Sequence, residues 1–240
     1  MRGNLVGERP CFLYDFSGIA NSSHRDFPDL TSKVRNISTA KIIAWVVYDT
    51  GNTTFFTGVM GLVFPLWITT VMGGTDAPVG FTLSVAMAIV FLISPILGTV
   101  SDQVGRRMLF LIFFTILGVV ATFMIGAVGI VVSLAMFAIA VVAIHTADIF
   151  YNALLEDVSS RSNVGTIAGL GIGLGYLGAI MAVVVSIFFI DPLGHVNVIR
   201  VLSVIMLILM LPLLIVGKDK TREDLQVGTG VTRLVYESML

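Results

Sequence analysis

The sequence predicts an all-α polytopic membrane protein with six transmembrane helices. Three observations carry that reading. Hydrophobic residues make up 56% of the 240 residues and charged residues only 12%, with a mean hydropathy of +0.98; soluble domains are not built this way. The apolar residues fall in six long continuous runs, close to the ~20 residues that cross a bilayer as a helix, whereas a barrel needs alternating strands of about ten residues. Thirteen of the fourteen Lys and Arg then fall on one side of a six-span alternation, and only Arg200 falls on the other. Positive charge gathers on the cytoplasmic side, so both termini are expected there.

Residues 1–40 are polar and mixed, and read as a mobile cytoplasmic leader. The stretch Cys11–Ile19 is too short and too interrupted, by Asp15 and Ser17, to be a secretory signal. Cys11 is the single cysteine, so no disulfide framework and no cysteine metal site is expected. The bundle is expected over residues 41–217. Its first span runs from about Lys41 to Thr70, with Pro65 and Trp67 near the outer end. The second is about Phe81–Gly98, where Pro95 is expected to kink it. The third is about Met108–Gly126, and a tight turn at Gly126–Gly129 follows. The fourth is about Ile130–Tyr151, followed by a polar inner loop, Glu156–Asn163. The fifth is about Thr166–Ile190, with an outer turn at Asp191–Asn197. The sixth is about Val198–Val216, with Pro212 expected to bend it. Residues 218–240 form a charged tail, mildly amphipathic through Val231, Leu234 and Val235, suited to a connector helix along the membrane surface.

One charged turn sits between two apolar runs in the middle of the chain: Gly98-Thr99-Val100-Ser101-Asp102-Gln103-Val104-Gly105-Arg106-Arg107. Arginines are costly in lipid, so this turn lies at a membrane face. Its spacing resembles the loop between helices 2 and 3 of major facilitator superfamily transporters, through Gly98, Asp102, Gly105, Arg106 and Arg107. It departs at Val100, Ser101 and Gln103. The resemblance implies that Asp102, Arg106 and Arg107 govern an inward-facing gate.

Two acids lie inside predicted spans, Asp49 and Asp148. An ionisable residue there is costly and marks function by default. Asp49 follows Lys41 by eight residues and Asp148 precedes Asp157 by nine, which places both roughly 12–14 Å in from the cytoplasmic anchors. The first and fourth spans run in opposite directions, so the acids reach one depth, as a shared polar cavity requires. If the hydrocarbon begins later, both are interfacial instead. His145, Asp148 and Asn152 form one stripe on the fourth span, and Asp49, Asn52, Thr53 and Phe56 form one on the first. For Asn52 and Asn152, interhelical hydrogen bonding and ligand contact are equal readings. His145 is open to a structural hydrogen bond or to proton transfer. The fifth span holds Gly165, Gly169, Gly171, Gly173, Gly175 and Gly178. These give two small-residue ladders, 165/169/173 and 171/175 continued by Ala179, suited to close helix packing or to a sliding surface.

Tyr48-Asp49-x-x-Asn52 with Phe64-Pro65 resembles the helix 1 signature of one branch of that superfamily, the vacuolar effluxer-like branch. The branch is named for the autophagy-linked amino-acid exporter of fungal vacuoles. Phe150-Tyr151-Asn152-Ala153-Leu154-Leu155 resembles its helix 4 signature, and Gly169-Leu170-Gly171-x-x-Leu174-Gly175-Tyr176-Leu177-Gly178 its helix 5 signature. The resemblance implies a secondary transporter for a small solute, with amino acids as one candidate, working by alternating access between two six-helix halves. Each half is built of 3+3 inverted repeats, and this chain supplies the amino-terminal one. A second half, as a separate chain, a self-copy or further sequence, is the expected partner, beside the lipid bilayer, the solute and a coupling proton. Asp49 and Asp148 would bind solute or proton, and Asn52, His145 and Asn152 would orient it. A truncated or regulatory half without transport of its own is the alternative. No cofactor is expected. An enzyme is not expected either, because only Glu156-Asp157 clusters acids and no second pair stands in register.

Overall fold

A computed structural model describes residues 38–104, 106–159 and 163–217, with backbone alone at 100–104. The predicted leader and connector helix therefore lie outside the described residues. Six helices are long and apolar enough to cross a membrane, and no strand occurs among the described residues. We number them α1 (Thr39–Thr70), α2 (Asp76–Val104), α3 (Arg107–Met124), α4 (Ile130–Ala153), α5 (Val164–Leu193) and α6 (His195–Val216).

Local chemistry sets most of the ends. Asp76 lies in the first turn of α2, where the helix dipole favours an anion. Pro78 sits in the same turn, where backbone N–H groups have no helical acceptor to lose. Gly194 separates α5 from α6 at φ 78°, a left-handed conformation that a Cβ disfavours, and its N–H closes α5 on the Ile190 carbonyl at 2.8 Å. The link between α3 and α4 turns on Gly126 and Gly129, both at positive φ. Ser133 staples it: its Oγ accepts from the Gly126 N–H at 3.0 Å and donates to the Gly129 carbonyl at 2.8 Å.

Several boundaries differ from the sequence expectation, for physical reasons. The charged turn is mostly helix, since α2 continues through Val104. Polar Ser101, Asp102 and Gln103 do not stop a helix that has already left the apolar run. The expected inner loop after α4 opens with a short helix, Leu155–Val158. The expected outer turn at Asp191–Asn197 shrinks to Gly194, because Pro192 lies inside α5 and α6 begins at His195. The centre of α1, Phe55–Val63, is π-helix, which no apolar period announces. Such wide turns appear mostly where a site needs them.

Short links make successive helices antiparallel. α1 packs on α5 and α6, while α4 packs on α2 and α3; α3 also packs on α6. Exchanging the first three helices for the last three maps these pairings onto one another. Since α1 and α4 run oppositely, the two triplets are inverted repeats of half a major facilitator fold. Phe64 of α1 stacks on Phe137 of α4 at 4.1 Å, and Phe110 of α3 on Phe150 of α4 at 5.3 Å. α2 turns Phe81, Phe91, Leu92 and Ile96 outward, an exposure that suits lipid rather than water.

Candidate functional site

Asp49 lies ten residues inside the start of α1 and Asp148 ten residues before Val158, the end of the fourth span. At 1.5 Å per residue both are about 15 Å from the same face. The structure links the two helices at this depth. The Asn52 Nδ2 donates to the Asp148 Oδ1 at 2.8 Å, tying α1 to α4. Both acids are half-buried and Asn52 is 3% exposed. Among the described residues neither carboxylate is ion-paired with Lys or Arg.

A stack of aromatic rings stands next to the acids. Trp45 lies on Tyr151 at 4.6 Å and Tyr48 on Tyr151 at 4.9 Å. The Trp45 Nε1 donates to the Tyr151 carbonyl at 3.2 Å, and the Tyr48 hydroxyl shares a 2.7 Å hydrogen bond with the Thr115 hydroxyl on α3. α1 and α4 have few backbone approaches, so this side-chain layer carries their contact. Aromatic pairs add about 0.5–1.5 kcal/mol each beyond the area they bury.

The glycines of α5 set how near α1 comes. A Cβ on Gly171 would sit 2.6 Å from the Trp45 ring, and one on Gly175 would sit 2.5 Å from the Asp49 Oδ2. A Cβ on Gly178 would overlap the Thr50 carbonyl. Hydroxyls cross the same seam: Thr50 Oγ1 donates to the Leu174 carbonyl at 3.3 Å and Thr54 Oγ1 to the Gly178 carbonyl at 3.4 Å. The packed ladder therefore runs 171/175/178 and on to buried Ala182, not to Ala179. Gly165, Gly169 and Gly173 have nothing within 4 Å of a Cβ position.

The remaining predicted residues divide. His145 lies against the Phe56 ring at 4.7 Å, and its Nε2 is buried without a partner among the described residues. Asn152 is exposed and donates to its own helix, at the Asp148 carbonyl, 2.9 Å away. Its side chain also lies within hydrogen-bonding reach of the Asp148 carboxylate, so the two share a face of α4. In the charged turn, Gly98 is within α2, Arg106 is exposed, and Gly105 and the Asp102 side chain lie outside the described residues. Arg107 turns back to α4: its Nη1 donates to the Ala153 carbonyl at 3.1 Å and lies 4.0 Å from the Glu156 Oε2. A cation suits that C-terminal carbonyl.

Sequence reasoning missed Trp45, Tyr48, Tyr151 and Thr115 as neighbours of the acids. The signal was present for the tyrosines, since Tyr48 precedes Asp49 and Tyr151 lies one turn after Asp148. No group of three or more His, Cys, Asp or Glu suited to a metal occurs among the described residues. An apolar groove of about 780 Å³ along α3, from Met108 to Val120 and against Gly217, touches neither acid. What the layer offers is charge, acceptor oxygens and aromatic surface where two inverted triplets meet.

Six membrane-length helices with ionisable residues at that meeting point describe an integral, multi-pass membrane protein. The chain belongs to the major facilitator superfamily, whose family model matches residues 50–235. It is 29% identical over 154 residues to the uncharacterized MFS-type transporter YxiO of Bacillus subtilis (strain 168), covering 60% of this chain and 36% of that protein. It is 29% identical over 180 residues to an uncharacterized protein of Aquifex aeolicus (strain VF5), covering 73% of this chain and 45% of that one. The chain thus spans less than half the length of either relative. No solved structure matches it.

Proposed function

We propose that this chain forms the amino-terminal half of a proton-coupled secondary transporter, with Asp49 and Asp148 as the shared binding acids. The observation that carries it is the Asn52–Asp148 bond across α1 and α4. Two inverted helices bring acids to one depth in a bundle that otherwise faces lipid. Burying an unpaired charge costs several kcal/mol, so the acids call for a proton or a solute to neutralise them. The two halves would rock about this layer, and the coverage of both relatives supports a second six-helix half. Arg106 and Arg107 would serve the inward gate, Arg107 by bracing α3 against α4. The excess of Lys and Arg on one face supports cytoplasmic termini. The effluxer-like motifs make amino acids one candidate among small solutes.

The test is flux. The chain, alone and with a second half supplied, is reconstituted in liposomes, and a panel of labelled amino acids is offered under a pH gradient. The reading expects pH-driven flux only with both halves, and its loss in Asp49→Asn and Asp148→Asn while insertion is kept. Flux unchanged in both variants removes the acids from the mechanism. Flux of other solutes but no amino acid removes the substrate. The coverage of the relatives also favours a second reading, a regulatory half that moves nothing itself; it predicts no flux in either preparation.

A further inference from the structure

We propose that the α1–α4 acid layer recognises a protonated primary amine, as the ammonium group of the solute. A count of donors and acceptors leads there. Asn52 spends its Nδ2 on Asp148, and its Oδ1 is left buried with no partner among the described residues. That oxygen can only accept. The Asp49 carboxylate receives no hydrogen bond among the described residues, and its one bonded oxygen is the backbone carbonyl, which accepts from Thr53 Oγ1 at 2.9 Å. The Asp148 carboxylate accepts from Asn52 and, along its own helix, from Asn152, and keeps further acceptor sites. The layer thus holds a surplus of acceptors and of negative charge.

The cations do not correct it from within. Lys41 is eight residues from Asp49 along α1, and Arg107 is engaged by Ala153 and Glu156. A bound proton neutralises one carboxylate and supplies one O–H donor to a layer with three acceptor side chains. An ammonium brings one full charge and three N–H donors. That gives one donor for Asp49, one for Asp148 and one for Asn52, from acceptors on two helices. A quaternary ammonium carries the charge and none of the donors. The rings of Trp45, Tyr48 and Tyr151 are stacked on one another and buried, so they wall the layer and add no acceptor to the count. Hydrogen-bond count therefore sets the specificity, and charge sets the attraction.

The word solute rests on the transporter reading above; the site itself does not. The test is a calorimetric titration of the full chain in lipid nanodiscs at constant ionic strength. The probes are n-butylammonium, its N-methyl, N,N-dimethyl and N,N,N-trimethyl forms, butyrate and sodium chloride. Affinity is expected to fall with each N–H replaced by methyl, to about tenfold or more at the quaternary form, as in other sites built to hydrogen-bond a ligand. Asp49→Asn is expected to weaken n-butylammonium about tenfold, and Asn52→Leu to flatten the methylation series. The series on the unmodified chain stands even if Asn52→Leu fails to fold. Equal or tighter binding of the quaternary form, binding of sodium or butyrate at these acids, or no saturable binding of n-butylammonium overturns the proposal. Ammonium selectivity without flux in either preparation keeps the site and removes the transporter reading. Flux without ammonium selectivity does the reverse.

Discussion

The two triplets pair alike and pack differently. α5 meets α1 through Gly171, Gly175 and Gly178, with backbone close to backbone and the Asp49 oxygen against a bare Cα. α2 also packs on α4, and its buried side chains are the ordinary apolar Val79 and Ala86, with Leu83 and Met87 packed against the core. One seam is built of missing side chains, the other of ordinary apolar ones. The contrast shows where geometry is tight. On the α1–α5 seam a single methyl displaces a ring, a carboxylate or a carbonyl, while ordinary apolar packing tolerates changes of similar size.

The largest break in that contrast is Gly178→Leu. It drives a side chain into the Thr50 carbonyl, and overpacking of this kind costs about 1–3 kcal/mol, sometimes more. Thermal unfolding of the purified chain should show a large fall in Tm or no folded peak. Gly169→Leu, on the open side of the same helix, should stay within about 0.5 kcal/mol of the parent. Next comes Asn52→Leu, which leaves the Asp148 carboxylate without its donor; hydrogen bonds to charged groups are worth about 1.5–3 kcal/mol. Asn152→Ala removes only an exposed bond within one helix and should cost less than about 1 kcal/mol. A smaller effect belongs to Arg107→Gln, at about 0.3–1 kcal/mol for a cation at a helix C-terminus. Glu156→Ala should change less still, because that partner is mostly exposed. Denaturant titrations of the paired variants rank them.

Much of this was legible beforehand, and the reason is the bilayer. Lipid demands that each span satisfy its own backbone, so apolar length and charge asymmetry suffice to find six helices. The acids were legible too, because Asp49 and Asp148 interrupt apolar helices at matching depth. What escaped depends on side chains meeting across the chain. Nothing local told that Trp45, Tyr48 and Tyr151 would stack, or that Asn52 would be buried against Asp148 while Asn152 stayed exposed. The two glycine ladders of α5 look equivalent as text, yet only one meets α1. The π-helical centre of α1 was hidden for a related reason. It answers to how α1 fits between α5 and α6 near Gly58, where a Cβ would crowd Ala182 and Leu202.

The central claim is that α1 and α4 meet at the acid layer through Asn52 and Asp148. The most direct measurement is cross-linking in membranes with a short thiol-reactive linker, using paired cysteines in a Cys11→Ser background. Asn52→Cys with Asp148→Cys should link efficiently, and Asn52→Cys with Val131→Cys, exposed at the opposite end of α4, should not. Equal linking of both pairs, or linking of the second pair alone, would contradict the account.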